Sequence, residues 1–99
     1  MRRAARTDSN HTEIVKHFRF CGAKVLSLAA MGKGVPDLLV CWKNITWLVE
    51  IKTPKGKQTP DQIAFLKEWT GMVVLVRSPA EVEETMWAME FQAKLLTSN

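Results

Sequence analysis

The amino-acid sequence predicts an α/β fold, built on a mixed four-stranded sheet with helices against its faces. Residues 45–52 alternate between bulky apolar side chains and a second set that ends in Glu50 and Lys52, the period-two pattern of a strand. Thr59-Pro60-Asp61-Gln62 is typical of a helix start, with an N-cap Thr, an early Pro and a reciprocal capping Gln. The elements follow in the order α-β-β-β-α-β-α. A helix crossing from three antiparallel strands to a fourth makes the sheet mixed.

The N-terminal part contains a basic arm and a first helix. Residues 1–8 begin Met-Arg-Arg-Ala-Ala-Arg and lack the apolar stretch of a secretory signal, so we expect a disordered arm. A helix is predicted over residues 10–20, because Ile14, Val15 and Phe18 form an apolar stripe. Gly22 is placed to end this helix, since glycine readily adopts the left-handed conformation found there.

Three strands are predicted next. The first covers residues 24–30, and Gly32-Lys33-Gly34 supplies the turn into a hairpin whose strands meet at Lys43-Asn44. Pro36 has no N–H for a sheet ladder, so it marks a strand start or a sheet edge. Residues 53–57 are polar and contain Pro and Gly, which indicates a loop.

The C-terminal part predicts two helices with a strand between them. The second helix runs from Thr59 to about Gly71, and residues 72–76 form an apolar run typical of a strand covered on both faces. Ser78-Pro79-Ala80-Glu81 repeats the capping pattern and opens a third helix, which reaches about Leu96. The apolar residues of this helix exceed what one sheet face can bury. They are Val82, Met86, Trp87, Met89, Phe91, Ala93, Leu95 and Leu96.

Length and composition indicate one domain, residues 9–99, in the cytoplasm. The chain has 99 residues, 46% hydrophobic and 24% charged, as in an ordinary globular protein. No apolar run approaches the roughly 18 residues of a membrane span. Cys21 and Cys41 are far apart, which favours reduced thiols. His17 lies four residues before Cys21, but no neighbouring residues complete a zinc site.

The net charge of +4 is divided unevenly along the chain. Residues 1–57 contain eleven lysines and arginines against four acidic residues, and residues 58–99 contain three against six. A basic half suggests an anionic polymer as partner, whereas the alternative is an ordinary solvated surface. The acidic cluster at Glu81, Glu83 and Glu84 is explained by the positive end of the third helix.

The predicted hairpin brings two carboxylates face to face. If residues 43–44 are the centre of the turn, Asp37 lies directly opposite Glu50, with Cβ atoms about 4.5–5.5 Å apart. Two like charges in this position are destabilising unless a cation lies between them. We therefore expect a divalent metal ion at this end of the hairpin.

The residue types around these carboxylates suit metal-assisted cleavage of a phosphodiester. Mg²⁺ and Mn²⁺ prefer carboxylate, carbonyl and water oxygens. Asp37 and Glu50 provide two such ligands, and the backbone carbonyl of Ile51 is a candidate third. Lys52 shares a strand face with Glu50, where it can orient or deprotonate the attacking water and offset transition-state charge. Nothing in the sequence calls for an organic cofactor.

A purely structural alternative also accounts for this hairpin. Lys52 would form surface salt bridges with the carboxylates, the Glu50 face of the strand would be exposed to solvent, and the helices would cover the other face. The short Glu50-Ile51-Lys52 sequence is common and does not decide between these interpretations alone.

Taken together, the motifs resemble the VRR-NUC domain, the virus-type replication-repair branch of the PD-(D/E)xK nuclease superfamily. The resemblance rests on Gly34-Val35-Pro36-Asp37-Leu38, Glu50-Ile51-Lys52 and Thr59-Pro60-Asp61-Gln62, in this order, and extends from about residue 13 to residue 76. Thr59 stands where Ser is expected, with the same capping role. The resemblance implies an αβββαβ(α) restriction-endonuclease-like core and hydrolysis of DNA phosphodiesters that depends on Mg²⁺, with Mn²⁺ able to replace it.

The resemblance also implies roles for individual residues. Asp37 and Glu50 would be metal ligands, and Lys52 the catalytic lysine. Glu13 corresponds to an acidic residue of the first helix, a ligand directly or through water, and Gln62 to a catalytic-site glutamine that opens the second helix. Capping is the alternative for the last two, because Asn10 and Glu13 have capping-box spacing and Gln62 occupies a capping position. His17 fits a hydrogen-bonded helix histidine better than a substrate contact.

Members of this size resemble phage or bacterial proteins that act as homodimers on branched DNA, such as four-way junctions or flaps. The host compartment would be the cytoplasm of a bacterial or phage-infected cell. We expect the dimer to form through the third helix or the hairpin, where Trp42 and Trp47 are core or interface residues. Basic residues are expected to contact DNA phosphates. They are Lys33, Lys55 and Lys57 near the site, and Arg2, Arg3 and Arg6 in the arm.

Two functions of other classes stay open from the sequence. One is a catalytically silent nucleic-acid-binding module that keeps the same fold. The other is an interaction subunit that docks on a partner through its third helix. The full set of Asp37, Glu50 and Lys52 favours the nuclease, because a binding module has no use for facing carboxylates beside phosphate.

Overall fold

Residues 9–98, which the computed structural model describes, form three α-helices and four β-strands. The elements are α1 (His11–Phe20), β1 (Lys24–Ser27), β2 (Leu38–Trp42), β3 (Ile45–Ile51), α2 (Pro60–Glu68), β4 (Val73–Val76) and α3 (Pro79–Thr97), with a 3-10 helix at Ala29–Met31. The predicted α/β class is confirmed.

The four strands form one mixed sheet in the order β1-β2-β3-β4. β1 pairs with β2 and β2 with β3 in antiparallel fashion, whereas β4 runs parallel to β3 after the α2 crossover. The predicted mixed sheet is thus confirmed, and β3 occupies an interior position with hydrogen-bonded neighbours on both sides.

The β2–β3 hairpin has the predicted register. Trp42 pairs with Ile45, and the ladder continues to the pair Leu38–Val49. Both central turn residues have positive φ, 52° at Lys43 and 68° at Asn44, as in the tight turns whose twist matches that of the strands. The two residue numbers of every β2–β3 pair have the same sum. The pairing of the residues just beyond the ladder can therefore be read from this register.

The hydrophobic core lies between one face of the sheet and the helices α1 and α3. Ile14 and Phe18 of α1 and Val82 and Met89 of α3 are fully buried, and they pack in one cluster with sheet residues such as Val49. Burying a side chain of this size contributes roughly 1.5–3 kcal/mol. Glu50 and Lys52 alternate with this apolar set and therefore point to the other face, where α2 lies.

The helix ends follow their sequence signals. After α1, Gly22 has a φ of 102°, its N–H donates to the Arg19 carbonyl and the Ala23 N–H donates to the Phe18 carbonyl. This pair of bonds is the Schellman motif, and it confirms Gly22 as the end of the helix. α2 begins with the complete predicted capping box, and at α3 the Ser78 hydroxyl accepts from the Glu81 N–H.

Two strands differ from the prediction. β1 ends at Ser27, not near residue 30, because the Ser27 hydroxyl accepts from the Ala29 N–H and the Met31 N–H donates to the Leu28 carbonyl, which turns the chain. β4 is an edge strand, and only Val76 of its residues is buried. The expectation of a strand covered on both faces is wrong, because Leu75, which pairs with Glu50 on the face opposite the core, is 36% exposed.

The buried stripe of α3 is shorter than predicted. Val82, Met86 and Met89 are buried, but Leu96 is 70% exposed. The 19 residues of α3 extend about 28 Å at 1.5 Å per residue, whereas the seven residues of β3 extend only about 23 Å. The end of the helix therefore has no strand to pack against. Within residues 9–98, no helix is long and apolar enough to cross a lipid bilayer.

Candidate active site

The two predicted carboxylates flank the end of the β2–β3 ladder. Asp37 precedes the first residue of β2, one position beyond the last pair, Leu38–Val49, so the register continues to Glu50. The Asp37 carboxylate is also fixed on β3, because its Oδ2 accepts a hydrogen bond of 2.7 Å from the Ile51 N–H. The structure therefore holds Asp37 beside the Glu50-Ile51 backbone, as the sequence predicted.

The backbone of Ile51 presents its carbonyl to the same side as Asp37. In a strand, the N–H and C=O of one residue point toward the same neighbouring strand, and the Ile51 N–H points to Asp37. The next N–H, of Lys52, donates to Val76 on the opposite side. The candidate third ligand thus lies on the carboxylate side of β3.

Glu50 and Lys52 form a buried charged pair. Their residues are only 3% and 7% exposed, and Lys52 Nζ lies 3.8 Å from Glu50 Oε2. The purely structural alternative also predicted a contact between Lys52 and Glu50, but on a solvent-exposed face of β3. That alternative is wrong, because both residues are buried. Burying charged groups is costly unless they are paired, hydrogen-bonded or bound to metal. The usual role of charged residues, to keep a protein surface soluble, therefore does not explain this pair.

Gln62 connects the start of α2 to this pair. Its Nε2 donates to Glu50 Oε2 at 2.7 Å. Its Oε1 accepts from the Thr59 N–H at 2.8 Å, while its own N–H donates to the Thr59 hydroxyl at 3.2 Å. The side-chain amide therefore uses both its oxygen and its nitrogen, and one side chain both caps α2 and binds Glu50.

Gly34 lets the loop before Asp37 approach the start of α2. Its φ is 80°, and a Cβ at this position would lie 2.2 Å from the Asp61 carbonyl oxygen and 2.8 Å from the Gln62 nitrogen. Any other residue would collide with the helix backbone there. The glycine of the Gly34-Val35-Pro36-Asp37 motif therefore has a packing reason, which the sequence pattern did not reveal.

Asn10 anchors the segment behind Lys52 and does not cap α1 through its side chain. Its Nδ2 donates to the carbonyls of Lys52, at 3.1 Å, and Arg77, at 3.0 Å. The predicted capping alternative for Asn10 and Glu13 is therefore wrong, because Asn10 Oδ1, the atom that would accept from a helix N–H, forms no hydrogen bond within residues 9–98. Its role was missed, since a capping spacing and a tertiary anchor look identical in a single sequence.

Glu13 and His17 lie on the outer surface of α1. Glu13 is exposed and lines a shallow groove with Lys16 and His17. The contacts that join Asp37, Glu50 and Gln62 within residues 9–98 do not include it. His17 Nε2 lies 2.9 Å from a Glu83 carboxylate oxygen, which agrees with a hydrogen-bonded helix histidine.

The predicted DNA-contacting lysines are all on the surface. Lys33, Lys55 and Lys57 are exposed, on the loops that precede Asp37 and follow Lys52. Arg2, Arg3 and Arg6 lie outside the described residues. Arg77 was missed by the sequence analysis, although it is a lone cation between an apolar run and a helix start.

The donor set is compatible with a hard divalent ion. Within residues 9–98, no group of three or more His, Cys, Asp and Glu side chains is arranged to hold a metal ion. A site at Asp37 and Glu50 would therefore need backbone and water oxygens besides the two carboxylates, and Mg²⁺ commonly keeps several waters in such sites. The orientation of the Ile51 carbonyl meets this need.

Comparison with protein-family models gave no match for this chain, and comparison with curated proteins gave none either.

Proposed function

We propose that this chain is a DNA endonuclease of the VRR-NUC type, with a restriction-endonuclease-like core and a requirement for Mg²⁺ or Mn²⁺. The main support is the buried pair of Glu50 and Lys52, 3% and 7% exposed, with Asp37 fixed beside it. A buried carboxylate and lysine next to a second carboxylate are costly for a fold. Such clusters of charge are typical of catalytic sites.

The side chains divide the chemical work. Asp37, Glu50 and the Ile51 carbonyl would hold the ion, which when bound polarises the phosphodiester and lowers the pKa of a bound water. Glu13 would reach this ion only through water, because it is exposed on α1 and no three acidic side chains of residues 9–98 are arranged to hold an ion together. Gln62 orients the Glu50 carboxylate through the 2.7 Å hydrogen bond.

Lys52 acts on water and on developing charge. Its ammonium lies 3.8 Å from Glu50 Oε2, so a water held at the Glu50 carboxylate would be within its reach. There it would orient that water, or accept its proton when neutral, and offset the negative charge of the transition state.

The substrate we propose is branched DNA, cut by a homodimer in the cytoplasm of a bacterial or phage-infected cell. One active site cuts one strand, and a two-fold dimer places two sites symmetrically on a junction. The interface we propose is an apolar stripe on α3, formed by Trp87, Phe91 and Leu95, which are 71%, 52% and 60% exposed. The hairpin is a poorer candidate, because Trp47 is buried and its Nε1 donates to Gln92.

Metal-dependent cleavage by the purified chain tests the proposal. Four-way junctions, flaps and linear duplexes would be incubated with Mg²⁺, with Mn²⁺ and with chelator. We expect cleavage only with metal, loss of cleavage in Asp37→Asn, and retained DNA binding in that variant. Asp61→Asn is the matched control, because Asp61 is exposed in the first turn of α2.

The outcomes separate the three functional classes. DNA binding without cleavage under any metal would support the silent binding module. Absence of both activities would support the interaction subunit. Full cleavage by Asp37→Asn would refute the assignment of the site.

A further inference from the structure

The loop that follows Lys52 is held from behind by an arginine. Arg77 Nη1 donates to the carbonyls of Thr53 at 2.6 Å and Gly56 at 2.8 Å, and lies 3.4 Å from that of Pro54. We refer to residues 53–57 as the 53–57 loop. Three of its carbonyl oxygens surround one guanidinium nitrogen.

Arg77 itself is fixed to two other elements. Its N–H donates to Glu81 Oε1 at 2.7 Å, in the first turn of α3. Its carbonyl accepts from Asn10 Nδ2, which also donates to the Lys52 carbonyl. The arginine thus connects the starts of α1 and α3 to the chain segment directly after Lys52, and the 53–57 loop is supported by a rigid base.

The direction of these carbonyls determines the direction of two N–H groups. In a trans peptide the C=O and the following N–H point in opposite directions, and the described residues contain no cis peptide. Because the carbonyls of Pro54 and Gly56 point to the guanidinium, the N–H groups of Lys55 and Lys57 point away from it. Within residues 9–98, neither N–H donates to a protein acceptor.

The outer side of this loop is therefore built for an anion. It combines two outward N–H groups with the side chains of Lys55 and Lys57, both exposed. Behind them, the Arg77 charge forms no ion pair with a carboxylate of residues 9–98. Convergent backbone N–H groups next to cationic side chains are a common way of binding phosphate.

We propose that the 53–57 loop binds a DNA backbone phosphate beside the scissile one, and that Arg77 is the positioning residue of this phosphate site. The identity of the ligand as DNA rests on the proposed function. The site itself rests on the hydrogen bonds of Arg77. It differs from a surface with two freely moving lysines, because its N–H groups are held in place before the phosphate arrives.

A charge-conserving substitution distinguishes these two descriptions. Arg77→Lys keeps the positive charge, but the lysine side chain ends one bond short of the position of Nη1, so its ammonium cannot contact all three carbonyls. If only charge matters, the affinity for DNA stays unchanged. The phosphate site predicts a loss of affinity of about tenfold, the order expected for charge-assisted hydrogen bonds. It also predicts a salt slope reduced by about 0.9, the value of one phosphate contact.

The experiment measures binding of a four-way junction in metal-free buffer at several salt concentrations. Arg19→Lys is the matched control, because Arg19 is exposed on α1 and donates to a single carbonyl at 3.3 Å. It should bind as the native chain does. Native-state trypsin cleavage after Lys55 and Lys57 gives a second readout, which should accelerate in Arg77→Lys alone.

The results separate the two proposals. Unchanged affinity and slope in Arg77→Lys would overturn the phosphate site, whether or not trypsin cleavage accelerates, and would leave the nuclease intact if the native chain cuts DNA. A lower slope in Arg77→Lys, together with a native chain that binds DNA but never cuts it, would support the phosphate site and refute the nuclease. If Arg77→Lys does not fold, Lys57→Gln replaces it, and an unchanged slope in that exposed-loop variant overturns the site.

Discussion

Replacing Gln62 should weaken both the fold and the proposed chemistry, because this side chain joins the cap of α2 to Glu50. Gln62→Met keeps the side-chain length and removes both hydrogen bonds. Loss of a capping bond costs about 1 kcal/mol, and loss of a bond to a charged group about 1.5–3 kcal/mol. We therefore expect the free energy of unfolding to fall by roughly 2.5–4 kcal/mol, with slower cleavage because Glu50 is no longer oriented.

Gln62→Glu separates the two roles. Its carboxylate can still accept from the Thr59 N–H, but it offers no donor to Glu50 and adds a like charge beside it. The exchanged double variant, Glu50→Gln with Gln62→Glu, restores one donor and one acceptor across the 2.7 Å contact. We expect it to recover stability relative to Gln62→Glu without recovering cleavage, because an amide is a poor substitute for a metal-binding carboxylate.

Urea denaturation followed by circular dichroism gives the stabilities, and single-turnover cleavage with Mg²⁺ gives the rates. Gln58→Met is the control, since Gln58 lies just outside the capping box. An unfolding free energy of Gln62→Met within about 0.5 kcal/mol of the native value, the usual range of surface substitutions, would show that these two hydrogen bonds do not stabilise the fold. Recovery of cleavage together with stability in the exchanged double variant would show that the Glu50 carboxylate is not needed for the chemistry.

Three further predictions address the lysine, the basic arm and the dimer. Lys52→Met should keep Mn²⁺ binding in calorimetry and lose most single-turnover activity, because the ammonium acts on water and charge; equal loss of both would make it a structural residue. Deleting residues 1–8 should flatten the dependence of DNA affinity on salt without altering the rate on bound DNA, and an unchanged slope would show that Arg2, Arg3 and Arg6 do not meet phosphate. Trp87→Glu should turn a concentration-dependent dimer into the 11.2 kDa monomer in sedimentation equilibrium, whereas a native chain that is already monomeric would contradict the dimer.

Local signals in the sequence were sufficient for the hairpin and the start of α2. A turn at Lys43-Asn44 fixes the pairing of every residue in the two strands, so the position of Asp37 against Glu50 followed from counting alone. The capping box at Thr59 and Gln62 is equally local, because all its partners lie within four residues. These features depend little on the rest of the chain.

Long-range partners could not be predicted in the same way. Asn10 has the sequence of a cap, yet its amide binds the carbonyls of Lys52 and Arg77, 42 and 67 residues away. Arg77 likewise serves a loop more than twenty residues before it. Such bonds depend on how helices and strands pack, and a single sequence contains no periodicity that marks them.

The marginal attachment of α2 has a consequence for how the site responds to heat. None of the residues of α2 is buried, so little buried apolar surface holds this helix in place. The hydrogen bonds of its capping box stabilise its first turn. Regions of this kind open at a lower free energy than the whole domain. Each opening would release Gln62 from Glu50 while the sheet and the core of α1 and α3 stay folded. The backbone N–H of Gln62 should therefore lose its protection from hydrogen exchange at a temperature below the melting temperature of the domain. The hydrogen bond that orients Glu50 should be lost at the same temperature.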